Sequence, residues 1–212
     1  MTMEKITNPS IKLLFCHGWG FDPGFFTPLK KLYAKHEMVF WDLGYFGTPS
    51  IVIPPHMEKE CWIGIGHSLG FFKLIDSDLP FKALVGLQGF VNFLGNRPAL
   101  RKERSKQFDR LQKNLFLDPI QTMAAFYARC GVDMHKKNHN LTRLQEDLDL
   151  IGTSCYDPSL LKIPYRILGS LNDPIVTPSL LYDNFGTDLI LLHERGLHGL
   201  GHLEASFIYN HV

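Results

Sequence analysis

Six short apolar runs punctuate the chain, at residues 12–16, 38–41, 62–65, 83–87, 165–169 and 189–192. Each is continuous rather than alternating, the pattern of strands covered on both faces in a parallel sheet. Turn residues bound the runs, and helical or irregular spacers separate them. Strands alternating with helices predict a doubly wound α/β architecture.

One stretch breaks this rhythm. Residues 90–163 carry no strand pattern, but helical periodicity runs through 101–117, 119–128 and on toward 141–151. The expected organisation is an α/β core from residues 1–90 and 164–212, with a helical lid at 91–163. An insertion over the carboxyl edge of the sheet would cover whatever site lies there.

The chain has 212 residues, enough for one domain with a full core. A net charge of +1 gives no overall attraction to nucleic acid or to a membrane surface. No apolar run approaches the ~20 residues of a membrane span, and residues 1–9 lack the apolar segment of a secretory signal. Cys16, Cys61, Cys130 and Cys155 are widely spaced, which fits a reduced, cytoplasmic protein.

The chemistry concentrates at Gly66-His67-Ser68-Leu69-Gly70, between the apolar runs 61–65 and 71–75. Strand, G-x-S-x-G and helix in that order form a nucleophile elbow, a turn sharp enough to present the serine hydroxyl at the sheet edge. Glycine is needed on either side because strand and helix approach too closely for a Cβ. A serine nucleophile requires a base within hydrogen-bond reach and an acid to orient that base. In this arrangement the chain order is serine, acid, histidine. Asp173 follows the fifth apolar run and is the candidate acid. His198 follows the sixth and is the favoured base, with His202 as the alternative. The backbone N–H groups of Leu69 and of Trp19, in the loop after the first run, are the candidate oxyanion donors. His17, His67 and Phe71 flank these positions and are expected to line the substrate pocket, with packing beneath it as the alternative for His67. Phe25, Phe26, Phe72 and Phe126 are further candidates for an acyl pocket, but aromatic residues are more often core, and only Phe71 is placed in the pocket by position. His198 and His202 have i,i+4 spacing without an H-E-x-x-H motif or a carboxylate partner, so no metal is expected.

The loop His17-Gly18-Trp19-Gly20, the elbow at Ser68, Asp173 and the terminal histidine loop together resemble the α/β-hydrolases. Within them, the chain looks like the pimeloyl-[acyl-carrier protein] methyl ester carboxylesterases of biotin synthesis. That resemblance extends to the lid segments Gln121-Thr122-Met123-Ala124-Ala125-Phe126 and 144–151. It implies an α/β-hydrolase fold and hydrolysis of a methyl ester through an acyl-Ser68 intermediate, with no cofactor. The implied roles are Ser68 as nucleophile, His198 as base, Asp173 as acid, and Trp19 and Leu69 as oxyanion donors. Three departures stand out. Asp42-Leu43-Gly44-Tyr45-Phe46-Gly47 replaces the family's Asp-Leu-Pro-Gly-Phe-Gly, and so few residues follow that the next helix must be short or missing. Phe71 replaces a small residue and should narrow the pocket. The family's first strands are expected to be absent before Ile11, leaving a sheet of about six.

Arg97, Arg101, Lys102, Arg104, Lys106, Arg110 and Lys113 cluster in the lid against only Glu103 and Asp109. An acidic acyl carrier protein would be drawn to such a cluster, although charge runs are more often solvated helix faces. Two other readings stay open: a general short-chain carboxylesterase or thioesterase, and a non-catalytic hydrolase-fold binding protein.

Overall fold

Six parallel strands form one sheet in the order β2-β1-β3-β4-β5-β6: β1 (Ile11–Cys16), β2 (Met38–Trp41), β3 (Cys61–His67), β4 (Ala83–Leu87), β5 (Tyr165–Ser170) and β6 (Ile190–His193). The computed structural model describes residues 11–133, 138–194 and 196–199. Each strand coincides with one of the six apolar runs, extended by at most two residues at an end. The expectation about the strands preceding Ile11 lies outside the described residues.

The unbroken hydrophobicity has a direct cause. Successive side chains of a strand point to opposite faces, and here both faces are covered. Leu13 and Phe15 of β1 join Ile63, Ile65, Val85 and Leu168 in one buried layer. Leu14 and Cys16 join Trp62, Leu84 and Ile167 in the other. Helix α1 (Thr27–Leu32) contributes Leu29 to the first layer. Helices α2 (Leu69–Asp76) and α6 (Pro178–Phe185) pack into the second.

The strandless stretch forms three helices, α3 (Pro98–Leu117), α4 (Pro119–Cys130) and α5 (Leu141–Thr153). Their ends follow local chemistry. Asp118 caps α4 by accepting from the Gln121 N–H at 3.0 Å, Pro119 occupies its first turn, and Gly131 ends it at φ 72°. Pro98 likewise opens α3, which therefore begins a turn earlier than its periodicity predicts. Between β2 and β3 there is only a 3₁₀ turn at Met57–Lys59, as the short connection required.

Helix α5 is tied to the core by polar contacts. Buried Asp147 accepts from Tyr45 Oη at 2.6 Å and from Lys73 Nζ at 2.7 Å. Arg143 Nε donates to the Leu43 carbonyl at 2.9 Å, and the Asn140 N–H to that of Tyr45 at 2.7 Å. Trp19 Nε1 donates to the Leu144 carbonyl at 2.8 Å. The loops after β1 and β2 are thereby fixed against the helical layer. Among the described residues, no helix is long and apolar enough to cross a membrane.

Candidate active site

Ser68 stands where β3 gives way to α2, with φ 53° and ψ −120°. This is a strained conformation for a residue with a Cβ. It is held by the Ser68 N–H donating to the Leu87 carbonyl at 2.9 Å and by Phe71 N–H donating back to the Ser68 carbonyl at 3.1 Å. A Cβ on Gly66 would fall 2.3 Å from Phe71 Cα, and one on Gly70 would fall 2.0 Å from the Cys16 carbonyl oxygen. The two glycines of the motif are thus steric requirements of the turn.

Asp173 follows β5 in a loop that its own carboxylate organises. Its Oδ1 accepts from the N–H groups of Ile175 at 2.7 Å and Val176 at 2.9 Å. Its Oδ2 lies 2.8 Å from His198 Nδ1. Because a carboxylate only accepts, Nδ1 carries the proton and Nε2 is left as the basic nitrogen. The histidine loop is pinned along its length. Ser170 Oγ donates to the Gly196 carbonyl at 2.6 Å, and Gln88 Nε2 to that of Leu197 at 2.7 Å. His67 Nε2 donates to the His198 carbonyl at 3.0 Å, and the Gly199 N–H to that of Cys130 at 2.8 Å. His202, the alternative base, lies outside the described residues.

Ser68, His198 and Trp19 line one cavity of about 220 Å³, roofed by residues of α3, α4 and α5. That is below the ~300–1,000 Å³ of sites for drug-sized ligands and suits a short chain. The loop after β1 passes directly over the serine: a Cβ on Gly18 would meet Ser68 Cβ at 3.0 Å. Leu69 is the first residue of α2, so its N–H is among those without an intrahelical acceptor.

The three residues expected to line the pocket are not among those that do. His17 is buried as a brace between loops: its Nε2 accepts from the Leu43 N–H at 3.0 Å, which leaves Nδ1 to donate to the Gly18 carbonyl at 3.0 Å. His67 lies beneath the site, stacked on Phe25 with ring centroids 4.0 Å apart. Burial, aided by nearby His198, keeps its imidazole neutral, with a pKa well below the ordinary histidine value. Phe71 does not narrow the pocket. Its ring fills space over Gly86 and Gly89, where added Cβ atoms would come within 3.1 Å and 2.8 Å of it, and it meets Phe185 edge-on.

The lining instead comes from residues the sequence reading left as core or surface, notably Phe108, Phe126, Leu148 and Ile151. Arg104 and Arg129 also reach the cavity. A signal for Arg104 was present: Leu100, Arg104, Phe108, Leu111 and Leu115 follow helical spacing, so this cation interrupts an apolar stripe. The basic cluster accordingly divides. Arg104 is buried, Arg97 pairs with Asp183 at 2.8 Å, and Arg101 donates to the Gly95 carbonyl at 3.3 Å. Lys102, Lys106, Arg110 and Lys113 remain exposed at i, i+4, i+8 and i+11, one stripe along α3.

No family model and no curated protein matches the sequence. Solved structures do match over nearly the whole chain. A lipase-esterase related protein from Clostridium acetobutylicum is 15% identical with a TM-score of 0.67, covering 96% of this chain and 93% of that one. An esterase from Exiguobacterium antarcticum is 11% identical with a TM-score of 0.71, covering 98% and 91%. A bromoperoxidase from Bacillus anthracis is 11% identical with a TM-score of 0.72, covering 95% and 90%. The parallel six-stranded sheet, the serine turn after β3 and these matches together show that the chain has the α/β-hydrolase fold.

Proposed function

We propose that this protein is a serine hydrolase of carboxylic esters. The observation that carries the reading is the buried His198–Asp173 pair at 2.8 Å, with His198 lining the same cavity as a strained Ser68. His198 Nε2 takes the Ser68 hydroxyl proton as Oγ attacks the ester carbonyl. The resulting oxyanion is held by the N–H groups of Leu69 and Trp19. His198 then returns the proton to the departing alcohol, leaving acyl-Ser68. Water, deprotonated by His198, attacks the acyl carbonyl and releases the acid with regeneration of Ser68. Asp173 orients the ring and stabilises the imidazolium formed at each stage.

The finer reading takes the substrate to be a methyl ester of a pimeloyl chain on acyl carrier protein, in biotin synthesis. Two features support it: the likeness around His17–Gly20, and the exposed cationic stripe from Lys102 to Lys113, which runs past the cavity at Arg110. The small cavity equally favours the broader reading, a short-chain esterase, and the Exiguobacterium protein similar to this one bears the name esterase. Turnover of p-nitrophenyl butyrate by wild type and its loss in Ser68→Ala is the expected result. Equal turnover by both proteins would refute the assignment. Cleavage of methyl pimeloyl-carrier protein, weakened when Lys102, Lys106 and Lys113 are changed to glutamate, would favour the finer substrate.

A further inference from the structure

Among the described residues, three arginines and no carboxylate line the cavity that holds Ser68 and His198. Arg104 is 8% exposed, and its guanidinium is secured at only two points. Nε donates to the Phe93 carbonyl at 2.6 Å, and Nη2 to the Ile175 carbonyl at 3.1 Å. The group also lies over the Phe93 ring, 4.3 Å from its centroid. Two of its five N–H bonds are thereby used, and three have no acceptor among the described residues. Arg129 hangs from the same loop, with Nη2 donating to the Pro174 carbonyl at 3.0 Å.

Among the described residues, neither cation has a carboxylate partner. The largest opposing charge on Arg104 is that of Asp173, whose oxygens already receive His198 Nδ1 and the Ile175 and Val176 N–H groups. Burial pushes Arg104 down to about 10; the Asp173 carboxylate offsets part of this, and the charge of Arg129 adds to it. A buried cation beside a second cation costs stability unless an anion joins them. That arrangement is what a built anion subsite presents when no ligand is bound.

We infer that Arg104 and Arg129 form a subsite for an anionic group on the substrate, so that the preferred ester carries a carboxylate or phosphate besides the bond that is cleaved. This rests on the ester-hydrolase reading and names its substrate class. The guanidinium of Arg104 fixes the anionic end, the apolar walls from Phe108, Leu148 and Ile151 enclose the chain, and the ester is left at Ser68. Selection works through charge: a neutral chain of the same length leaves both cations unpaired.

The test is calorimetric titration of Ser68→Ala protein with monomethyl adipate and dimethyl adipate, which differ only in a carboxylate and its methyl ester. Pantetheine 4′-phosphate forms a third arm. The monoester is expected to bind about tenfold tighter than the diester, the usual scale for a charge-assisted hydrogen bond. Arg104→Gln and Arg129→Gln are each expected to bring that ratio toward one. Arg129 is exposed, so its variant retains the fold even if Arg104→Gln does not. Tighter binding of pantetheine 4′-phosphate, with the same dependence on both arginines, would support the subsite and assign its anion to a carrier phosphate rather than an acyl carboxylate. Equal binding of the two adipates with no binding of the phosphate, or a charge preference that survives both substitutions, would overturn the inference. Wild-type turnover of p-nitrophenyl butyrate is read separately. Its absence would refute the hydrolase reading, and the titration would still decide on the anion subsite.

Discussion

His198 Nδ1 and Asp173 Oδ2 lie 2.8 Å apart with both side chains buried, although 25 residues separate them in sequence. The contact decides which nitrogen of His198 is basic. In Asp173→Asn, Oδ1 can still accept from Ile175 and Val176, so the loop is retained. The amide N–H facing Nδ1 instead favours the tautomer whose Nε2 already bears a proton. A fall in kcat of roughly 10³–10⁴ is expected, the scale of losing the correct tautomer. It would be measured with p-nitrophenyl butyrate beside an unchanged thermal midpoint. A variant with near-native kcat would show that Asp173 does not orient the base.

Gly70→Ala should damage the fold, because its Cβ would meet the backbone of β1 rather than a side chain able to turn aside. A loss of about 3 kcal/mol or more in urea unfolding is expected, the upper end of overpacking costs. Gly47 is exposed with nothing within 4 Å of an added Cβ. Gly47→Ala should therefore stay within ~0.5 kcal/mol of wild type. Similar effects at the two sites would contradict the steric reading of the elbow.

Asp147→Ala would leave Lys73 without its carboxylate and Tyr45 Oη without its acceptor. Breaking a buried pair costs ~3–5 kcal/mol, and the low end is expected because Lys73 and Arg143 retain some exposure. Calorimetric unfolding should show a lower midpoint. Unchanged stability would mean that α5 is held by its apolar face alone.

His67 is neutral in the fold, whereas an unfolded chain protonates it below about pH 6.5. In that range the unfolded state binds the extra proton, so stability must fall as pH falls, by up to ~1.4 kcal/mol per unit. In His67→Gln the amide can still donate to the His198 carbonyl but has no such titration. The stability difference between wild type and His67→Gln should therefore shift against wild type from pH 7 to pH 5. A difference independent of pH would exclude this linkage.

The sheet was legible in the sequence because two-sided burial leaves each strand an uninterrupted apolar run, as at Leu13-Leu14-Phe15-Cys16. The candidates Ser68, Asp173 and His198 were legible because the motif and the chain order locate them at strand ends. The pocket walls were not. Proximity to Ser68 in sequence pointed to His67 and Phe71, yet both side chains turn into the core, and Phe71 finds its space over glycines of and beyond β4. The walls come from helices whose placement depends on long-range contacts such as Asp147 with Tyr45 and Lys73, which no local pattern encodes. Helix α1 was too short for periodicity to show.

The most direct test of the central claim is labelling by a fluorophosphonate, which reacts only with an activated serine. Wild type, Ser68→Ala, His198→Ala and His202→Ala would be compared as folded proteins. Labelling of wild type and of His202→Ala, with loss in Ser68→Ala and His198→Ala, is the expected pattern. Absence of labelling in folded wild type, or labelling that persists in Ser68→Ala, would contradict it.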